Sequence, residues 1–242
     1  MIELRSITLG YDDRRLLDGA SMRLDRGEIT ALIGRNGAGK STLLRAIGGL
    51  GEIRGGEIML DGQPVKGMSA QRLAETVSFV TTERVRIANL RCRDVVALGR
   101  APYTNWIGRM QLEDAEIVET ALEQVGMSDY ADRTMERMSD GECQRVMIAR
   151  ALAQHTPVIL LDEPTSFLDL PNRYEICSLL RDLAHSEGKT VLYSTHELDI
   201  AMSLCDSVAL IDSPRLHHLP VGEMKSSGLV ERLFGRKIAC YE

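Results

Sequence analysis

Residues 34–42, "GRNGAGKST", follow the short apolar run "ITALIG" and precede a helical pattern. Their spacing is G-x-x-x-x-G-K-S, in which glycines let backbone amides turn toward a phosphate and the helix N-terminus adds partial positive charge. We call residues 34–42 the phosphate loop. The nucleotide-binding residues predicted in it are Gly34, Arg35, Asn36, Gly37, Ala38, Gly39, Lys40, Ser41 and Thr42.

Within the phosphate loop, Lys40 is expected to reach the β- and γ-phosphates of a nucleotide, and the Ser41 hydroxyl is expected to ligate Mg²⁺. Kinases, GTPases, motors and transporters all use such a loop. The loop alone therefore predicts nucleotide binding but does not decide among these classes of protein.

A pair of acids follows a second apolar run, "PVILLDEP" at 157–164. Asp162 ends the run, and a carboxylate at a strand end beside the phosphate loop can hold Mg²⁺. Glu163 comes next and is a candidate for orienting or deprotonating an attacking water, a group that in-line hydrolysis requires. The pair therefore predicts a hydrolase.

Apolar runs separated by helical patterns predict an α/β fold with a parallel sheet covered by helices. The predicted parallel strands are 29–34, 77–81, 157–164, 190–196 and 208–212, and the predicted helices are 40–50, 112–125, 139–154 and 172–187. The alternating stretches "MIELRSITLGY" and "GEIMLDGQPV" predict antiparallel strands near the N-terminus.

The chain of 242 residues is interpreted as one domain, 1–242, in which the helix-rich segment 84–150 is an inserted lobe. Residues 1–83 and 151–242 then form the nucleotide-binding core. Residues 213–242 carry little pattern, and His217 and His218 match no motif, so they are expected in a solvated loop.

Composition excludes several other classes. The net charge of -6 argues against general affinity for nucleic acid or anionic membranes. The five cysteines are far apart and form no C-x-x-C pair, so neither a zinc site nor a disulfide framework is expected. The chain opens without a leader pattern and has no long apolar run, so any role at a membrane is expected to be peripheral.

The stretch "MSDGECQRVMIARAL", 138–152, resembles the signature sequence of ABC-type ATPases. Tyr11, the phosphate loop, the Asp162–Glu163 pair, "PTSFLD" at 164–169 and His196 after "TVLYST" follow in that family's order, so the resemblance covers nearly the whole chain. It implies a P-loop NTPase (RecA-like) parallel core, an N-terminal antiparallel β subdomain, an inserted α-helical subdomain, and hydrolysis of ATP with Mg²⁺.

The resemblance also implies roles for particular residues. Tyr11 would stack on adenine, and His196 would contact the γ-phosphate. The signature residues Ser139, Asp140, Gly141 and Glu142 would contact the ATP bound by the opposite subunit, so that two copies of the chain enclose two ATP molecules. The residues alone show one further feature, because S-x-x-E at Ser139 and Glu142 predicts a helix capping box.

The chain departs from the family pattern in two places. After "VSFV" the family usually has a glutamine that senses Mg²⁺ and contacts the membrane partner, whereas this chain has Thr81, Thr82 and Glu83. Thr82 replaces the glutamine by position, and Glu83 has the longer reach to Mg²⁺ or could instead face the membrane partner. Phe167 stands where a small residue is common.

A nucleotide-binding chain without membrane helices resembles the separate subunit of an importer. The stretch "ALGRAPYTNWIGRM", 97–110, is similar to a segment of the importers for iron-siderophore complexes, haem and cobalamin. The implied partners are a polytopic permease and, through it, a substrate-binding protein, with the chain at the cytoplasmic face of the cell membrane. The alternative is a soluble ABC ATPase without a transport role, such as an iron-sulfur assembly accessory, and a sensor that does not hydrolyse conflicts with Glu163.

Overall fold

The computed structural model describes residues 1–83, 88–104 and 111–235, so Cys240 and the second half of the importer-like segment lie outside the described residues. The strands within these ranges are β1 (Ile2–Tyr11), β2 (Arg14–Leu24), β3 (Ile29–Gly34), β4 (Gly55–Leu60), β5 (Gln63–Pro64), β6 (Val77–Val80), β7 (Val158–Asp162), β8 (Thr190–Ser194), β9 (Ser207–Asp212) and β10 (Arg215–Pro220). The helices are α1 (Lys40–Ile47), α2 (Ala70–Thr76), α3 (Cys92–Ala97), α4 (Leu112–Gln124), α5 (Asp140–Ala153), α6 (Leu170–Glu187), α7 (Leu198–Leu204), α8 (Val221–Ser226) and α9 (Leu229–Phe234).

The central sheet has the strand order β10-β9-β3-β8-β7-β6. All five predicted parallel strands are confirmed as β3, β6, β7, β8 and β9, and β10 adds an antiparallel edge. Every residue of β3, β7 and β8 is buried. These strands read as continuous apolar runs because apolar side chains pack against both faces of the sheet.

A second sheet is antiparallel, with the order β2-β1-β4-β5. The predicted antiparallel strands near the N-terminus are confirmed, and β1 pairs with β4 from Ile2 opposite Leu60. The partner on the other side of β1 is β2, which the sequence pattern did not predict. Register shifts between β1 and β2 interrupt the two-residue alternation of side chains, and this hides β2 in the sequence.

The helices α3, α4 and α5 pack together around a shared apolar core. A buried ion pair fixes their ends, because Arg100 Nε lies 2.8 Å from Asp114 Oδ1 and Arg100 Nη1 donates to the Ala153 carbonyl at 2.8 Å. The division of the chain into core and inserted lobe stays a prediction, and α5 runs past residue 150 to Ala153. No helix within the described ranges is long and apolar enough to span a bilayer.

The expectation of a solvated loop at His217 and His218 is wrong. Both residues lie in β10, which pairs with β9 along its whole length, so backbone hydrogen bonds rather than an apolar pattern define the strand. His218 Nε2 lies 2.9 Å from the Ser207 hydroxyl. The chain then continues into α8 and α9, whose Met224, Val230 and Leu233 side chains are buried.

Glu28 forms a polar cluster with Ser207 and His218, and its carboxylate accepts most of the hydrogen bonds in that cluster. Its carboxylate accepts from the Ser207 hydroxyl at 2.6 Å and from the Asp25 amide at 2.9 Å, and His218 Nε2 lies 3.7 Å away. Burial raises the pKa of the Glu28 carboxyl, but the opposite effect of His218, Ser207 and the Asp25 amide is larger. The net result is a pKa lowered from 4.5 to about 2. The ionised carboxylate therefore stabilises the fold.

We expect Glu28→Gln to lower the free energy of unfolding at pH 7 by about 1–2 kcal/mol, because charge-assisted hydrogen bonds are lost. The folded-state pKa is depressed, so this stabilisation is complete above about pH 4.5 and is lost as the pH falls toward about 2. Chemical denaturation of wild type and variant between pH 7 and pH 3 measures it. Glu57→Gln, at an exposed ion pair with Arg5, is the control and should change little.

Candidate functional site

Three neighbouring strands end at the candidate site. The phosphate loop follows β3, Asp162 ends β7, and His196 follows β8, which lies between β3 and β7 in the sheet. Because parallel strands end at the same edge of a sheet, this order brings together residues that are far apart in sequence.

A cavity of about 480 Å³ lies at this edge. It is lined by Tyr11, Arg14, Leu16, Asn36, Gly37, Gly39, Lys40, Ser41, Thr42, Glu163 and His196. An aromatic ring, a glycine-rich loop, an ammonium group and a carboxylate therefore face one space. Seven of the ten predicted nucleotide-binding residues line the cavity, together with Glu163 and His196. The other three, Gly34, Arg35 and Ala38, do not line it, and neither does the predicted Mg²⁺ ligand Asp162.

The phosphate loop has the conformation that its glycines allow. Gly37 and Gly39 have φ values of 72° and 106°, in the left-handed region, and a Cβ on Gly39 would lie 3.2 Å from the Leu16 side chain. Lys40 is 7% exposed, and its Nζ donates to the Gly34 carbonyl at 3.1 Å. Burial lowers the pKa of the Lys40 ammonium, and the Glu163 and Asp162 carboxylates oppose that effect.

One hydroxyl group bonds the Asp162 carboxylate and the Glu163 backbone. Ser194 Oγ donates to Asp162 Oδ1 at 2.7 Å and accepts from the Glu163 amide at 2.9 Å. Glu163 has φ 50°, a left-handed conformation that is unusual for a residue with a side chain. Its carboxylate contacts His196 Nε2. The strand end thus directs Asp162 into the protein and Glu163 into the cavity.

Three predicted residues point elsewhere. The guanidinium of Arg35 donates from Nε and Nη2 to the Leu233 carbonyl, at 2.9 and 2.6 Å, so it holds α9 rather than facing the cavity. The Glu83 carboxylate is 75% exposed and lies 3.4 Å from Arg45 Nη2. Thr82 Oγ1 donates to the Asp162 carbonyl at 2.9 Å. Neither Thr82 nor Glu83 lines the cavity.

The signature residues lie at the start of α5, outside the cavity. The predicted capping box is confirmed, since the Glu142 amide donates to Ser139 Oγ at 3.2 Å and the Ser139 amide donates to Glu142 Oε2 at 2.7 Å. A Cβ on Gly141 would lie 3.2 Å from the Phe167 carbonyl. Gly141 therefore allows α5 to approach the turn at 164–169 of the same chain.

Sequence reasoning missed three residues of the site, Arg14, Leu16 and Ser194. Ser194 is the polar residue at the end of the apolar run "TVLYS". A polar residue at the end of a buried strand could have indicated that Ser194 belongs to the site. Arg14 lies opposite Tyr11 across a two-residue turn, and β2 had to be recognised before this pairing could be seen.

The residues fit a nucleotide with a divalent cation. The loop offers backbone amides and a cation to phosphates, and Tyr11 offers a ring face to a base. Ser41 and Glu163 line the cavity with the hard oxygen ligands that Mg²⁺ prefers. Asp162 lies beside them at the end of β7, and one of its oxygens accepts from Ser194.

Comparison with known proteins agrees with this geometry. Residues 17–166 match the family model described as "ABC transporter". The iron(3+)-hydroxamate import ATP-binding protein FhuC of Bacillus subtilis is 37% identical over 200 residues, which cover 83% of this chain and 74% of that protein.

Solved structures are similar over nearly the whole chain. An ABC transporter assigned to the metal-chelate type, in an inward-facing conformation, has a TM-score of 0.85 at 27% identity and covers 97% of this chain and 88% of that one. The dimeric, post-hydrolysis ATP-binding cassette MJ0796 with ADP and phosphate has a TM-score of 0.80 at 26% identity, covering 91% of this chain and 99% of that one.

We expect Ser194→Ala to lower the free energy of unfolding by about 1–3 kcal/mol, because it removes a hydrogen bond from the buried Asp162 carboxylate and another from the Glu163 amide. Ser78→Ala is a matched control. Ser78 is equally buried on β6, and its hydroxyl has no hydrogen-bond partner among the described residues, so its removal should be neutral or stabilising. Equal losses in the two variants, measured by urea denaturation, would contradict the proposed bridge.

Proposed function

Because the chain belongs to the ABC transporter family and is a transport-coupled ABC-type ATPase, we propose that it powers the import of a metal chelate through a separate membrane permease. The chelate is of the iron-siderophore, haem or cobalamin class. The main support for ATP hydrolysis is that residues of the phosphate loop, Glu163 and His196 line the same cavity.

The residues of the cavity have different roles in ATP hydrolysis. Tyr11 stacks on the adenine, while the phosphate loop and Lys40 bind the phosphates. Glu163 orients and deprotonates the attacking water, and His196 holds the Glu163 carboxylate in the cavity through their contact. Ser41 and Asp162 would hold Mg²⁺, which would neutralise phosphate charge. Ser194 acts through Asp162 and Glu163 as a positioning residue.

A second copy of the chain completes the site. Residues 139–142 do not line the cavity of their own chain, although the capped N-terminus of α5 is suited to a phosphate. In the proposed arrangement, Ser139, Asp140, Gly141 and Glu142 of one copy contact the ATP held by the other. The similarity to a dimeric cassette with ADP and phosphate supports this proposal.

Import of a metal chelate is supported by two comparisons. The FhuC protein of Bacillus subtilis is named for iron(3+)-hydroxamate import, and the solved transporter is assigned to the metal-chelate type. The proposed partners are a polytopic permease and a substrate-binding protein that delivers the chelate to it. The chain would then lie at the cytoplasmic face of the cell membrane.

Glu83 is proposed to serve the permease rather than Mg²⁺. Its carboxylate lies beside Arg45 of α1, the helix that begins at Lys40, and it is exposed outside the cavity. The neighbouring Thr82 hydroxyl is bonded to the Asp162 carbonyl, next to the proposed Mg²⁺ ligand. This two-residue segment thus joins the nucleotide site to a surface that a permease can reach.

We expect Lys40→Ala to abolish ATP binding, because it removes the buried cation of the phosphate loop. Glu163→Gln should keep ATP binding and lower hydrolysis at least about 100-fold, the scale of general-base catalysis. With ATP and Mg²⁺, Glu163→Gln should accumulate as a dimer. Binding titration, phosphate release and light scattering measure the three effects. A Glu163→Gln protein that binds ATP tightly and stays monomeric would contradict the enclosed pair of nucleotides.

The import proposal is tested by co-expressing the chain with a candidate chelate permease and reconstituting the complex in lipid nanodiscs. The chelate-loaded binding protein should stimulate ATP hydrolysis. In this complex, Glu83→Ala should lose the stimulation and keep the wild-type Mg²⁺ dependence, with Thr82→Ala measured beside it. A higher Mg²⁺ requirement in Glu83→Ala would instead show that Glu83 is a Mg²⁺ ligand. An ATPase that neither binds nor responds to any chelate permease would favour the soluble, non-transport class.

A further inference from the structure

A β-hairpin places Tyr11 and Arg14 side by side at the candidate site. The two residues are directly opposite each other in the pairing of β1 with β2, and Asp12, in the left-handed region at φ 44°, helps to form the turn between them. Side chains of directly opposite residues project from the same face of an antiparallel pair. Both side chains accordingly line the cavity.

The hairpin is bonded to the phosphate loop at two points. The Tyr11 hydroxyl lies 3.0 Å from Thr42 Oγ1, and Arg14 Nη2 donates to the Gly37 carbonyl at 3.0 Å. The Gly37 bond uses one of the five N–H donors of the guanidinium. Arg14 is thereby held at the cavity with donors left over.

The charge of Arg14 is not matched by a carboxylate. In the part of the chain that the structure describes, no aspartate or glutamate lies within ion-pair distance of Arg14, whereas the next residue, Arg15, lies 2.8 Å from Asp18. Arg15 does not line the cavity. Arg14 and Lys40 are cations of the cavity lining, and Glu163 is its carboxylate, so Arg14 leaves the cavity positive.

We propose that Arg14 is a further nucleotide-binding residue, whose guanidinium donates hydrogen bonds to the phosphates while the Gly37 carbonyl holds it in place. The proposal rests on the proposed ATP site. Phosphate is the favoured ligand because Gly37 belongs to the loop whose amides face phosphate, and because a planar guanidinium pairs well with phosphate oxygens.

The experiment compares ATP binding by full-length wild type, Arg14→Gln, Arg14→Lys and Arg15→Gln. Isothermal titration calorimetry in EDTA prevents hydrolysis, and thermal melting checks that each variant is folded. Arg14→Gln keeps an N–H donor for Gly37 but loses the charge. It should raise the Kd for ATP about 10- to 100-fold, the range for a hydrogen bond to a charged group.

Arg14→Lys should recover a large part of the affinity because it keeps the charge, and Arg15→Gln should bind as wild type does. The Kd of Arg14→Gln should also depend less steeply on salt concentration. An unchanged Kd in Arg14→Gln, or equal losses in Arg14→Gln and Arg14→Lys with the salt dependence of wild type, would overturn the proposal. Failure of the wild type itself to bind ATP would instead refute the ATP site on which the proposal rests.

Discussion

Lys40 is a buried residue at the wall of the cavity, and the free-energy cost of burying a charge constrains the residues around it. The Gly34 carbonyl accepts one of its hydrogen bonds, and the Glu163 and Asp162 carboxylates favour its charged form. The acids in turn have partners of their own, since the Asp162 carboxylate accepts from the Ser194 hydroxyl and the Glu163 carboxylate contacts His196. A buried cation and two carboxylates therefore stabilise one another. Because Arg14 adds a second cation to the cavity lining and Glu163 is the carboxylate among the lining residues, an anionic phosphate is the natural addition to the cavity.

The strand order makes this arrangement possible. β8 lies between β3 and β7, so the residue at the end of β8 reaches the end of β7, and the next residues reach the cavity above β3. Ser194 is the last residue of β8 and His196 follows it two positions later. One strand thus provides both the hydroxyl that fixes Asp162 and the imidazole that contacts Glu163. A different order would separate these groups although each motif remained intact in the sequence.

Much of this could be predicted from the sequence because the informative features are local. A glycine loop between an apolar strand and a helix, and acids at the end of an apolar run, depend on neighbours a few residues away. β2 and β10 could not be predicted in this way. β2 is irregular beside β1, and β10 is a polar edge strand whose partner defines it. Arg14 and Ser194 were missed for the same reason, since their roles depend on residues across a hairpin and on a neighbouring strand. The direction of the Arg35 side chain likewise depends on α9, almost 200 residues later.

The turn at 164–169 links the acid pair to the surface that carries the signature residues. It leaves Glu163 directly, and Ser166 Oγ donates to the Glu163 carbonyl at 3.0 Å. Gly141 of α5 lies against the Phe167 carbonyl, and Arg145 of α5 lies 2.9 Å from Glu175 of α6, the helix that the turn begins. The start of α5 is therefore positioned by the segment that carries Glu163. In the proposed pair of chains, a shift of Glu163 in one copy would pass through this turn to the α5 surface that faces the other copy's nucleotide.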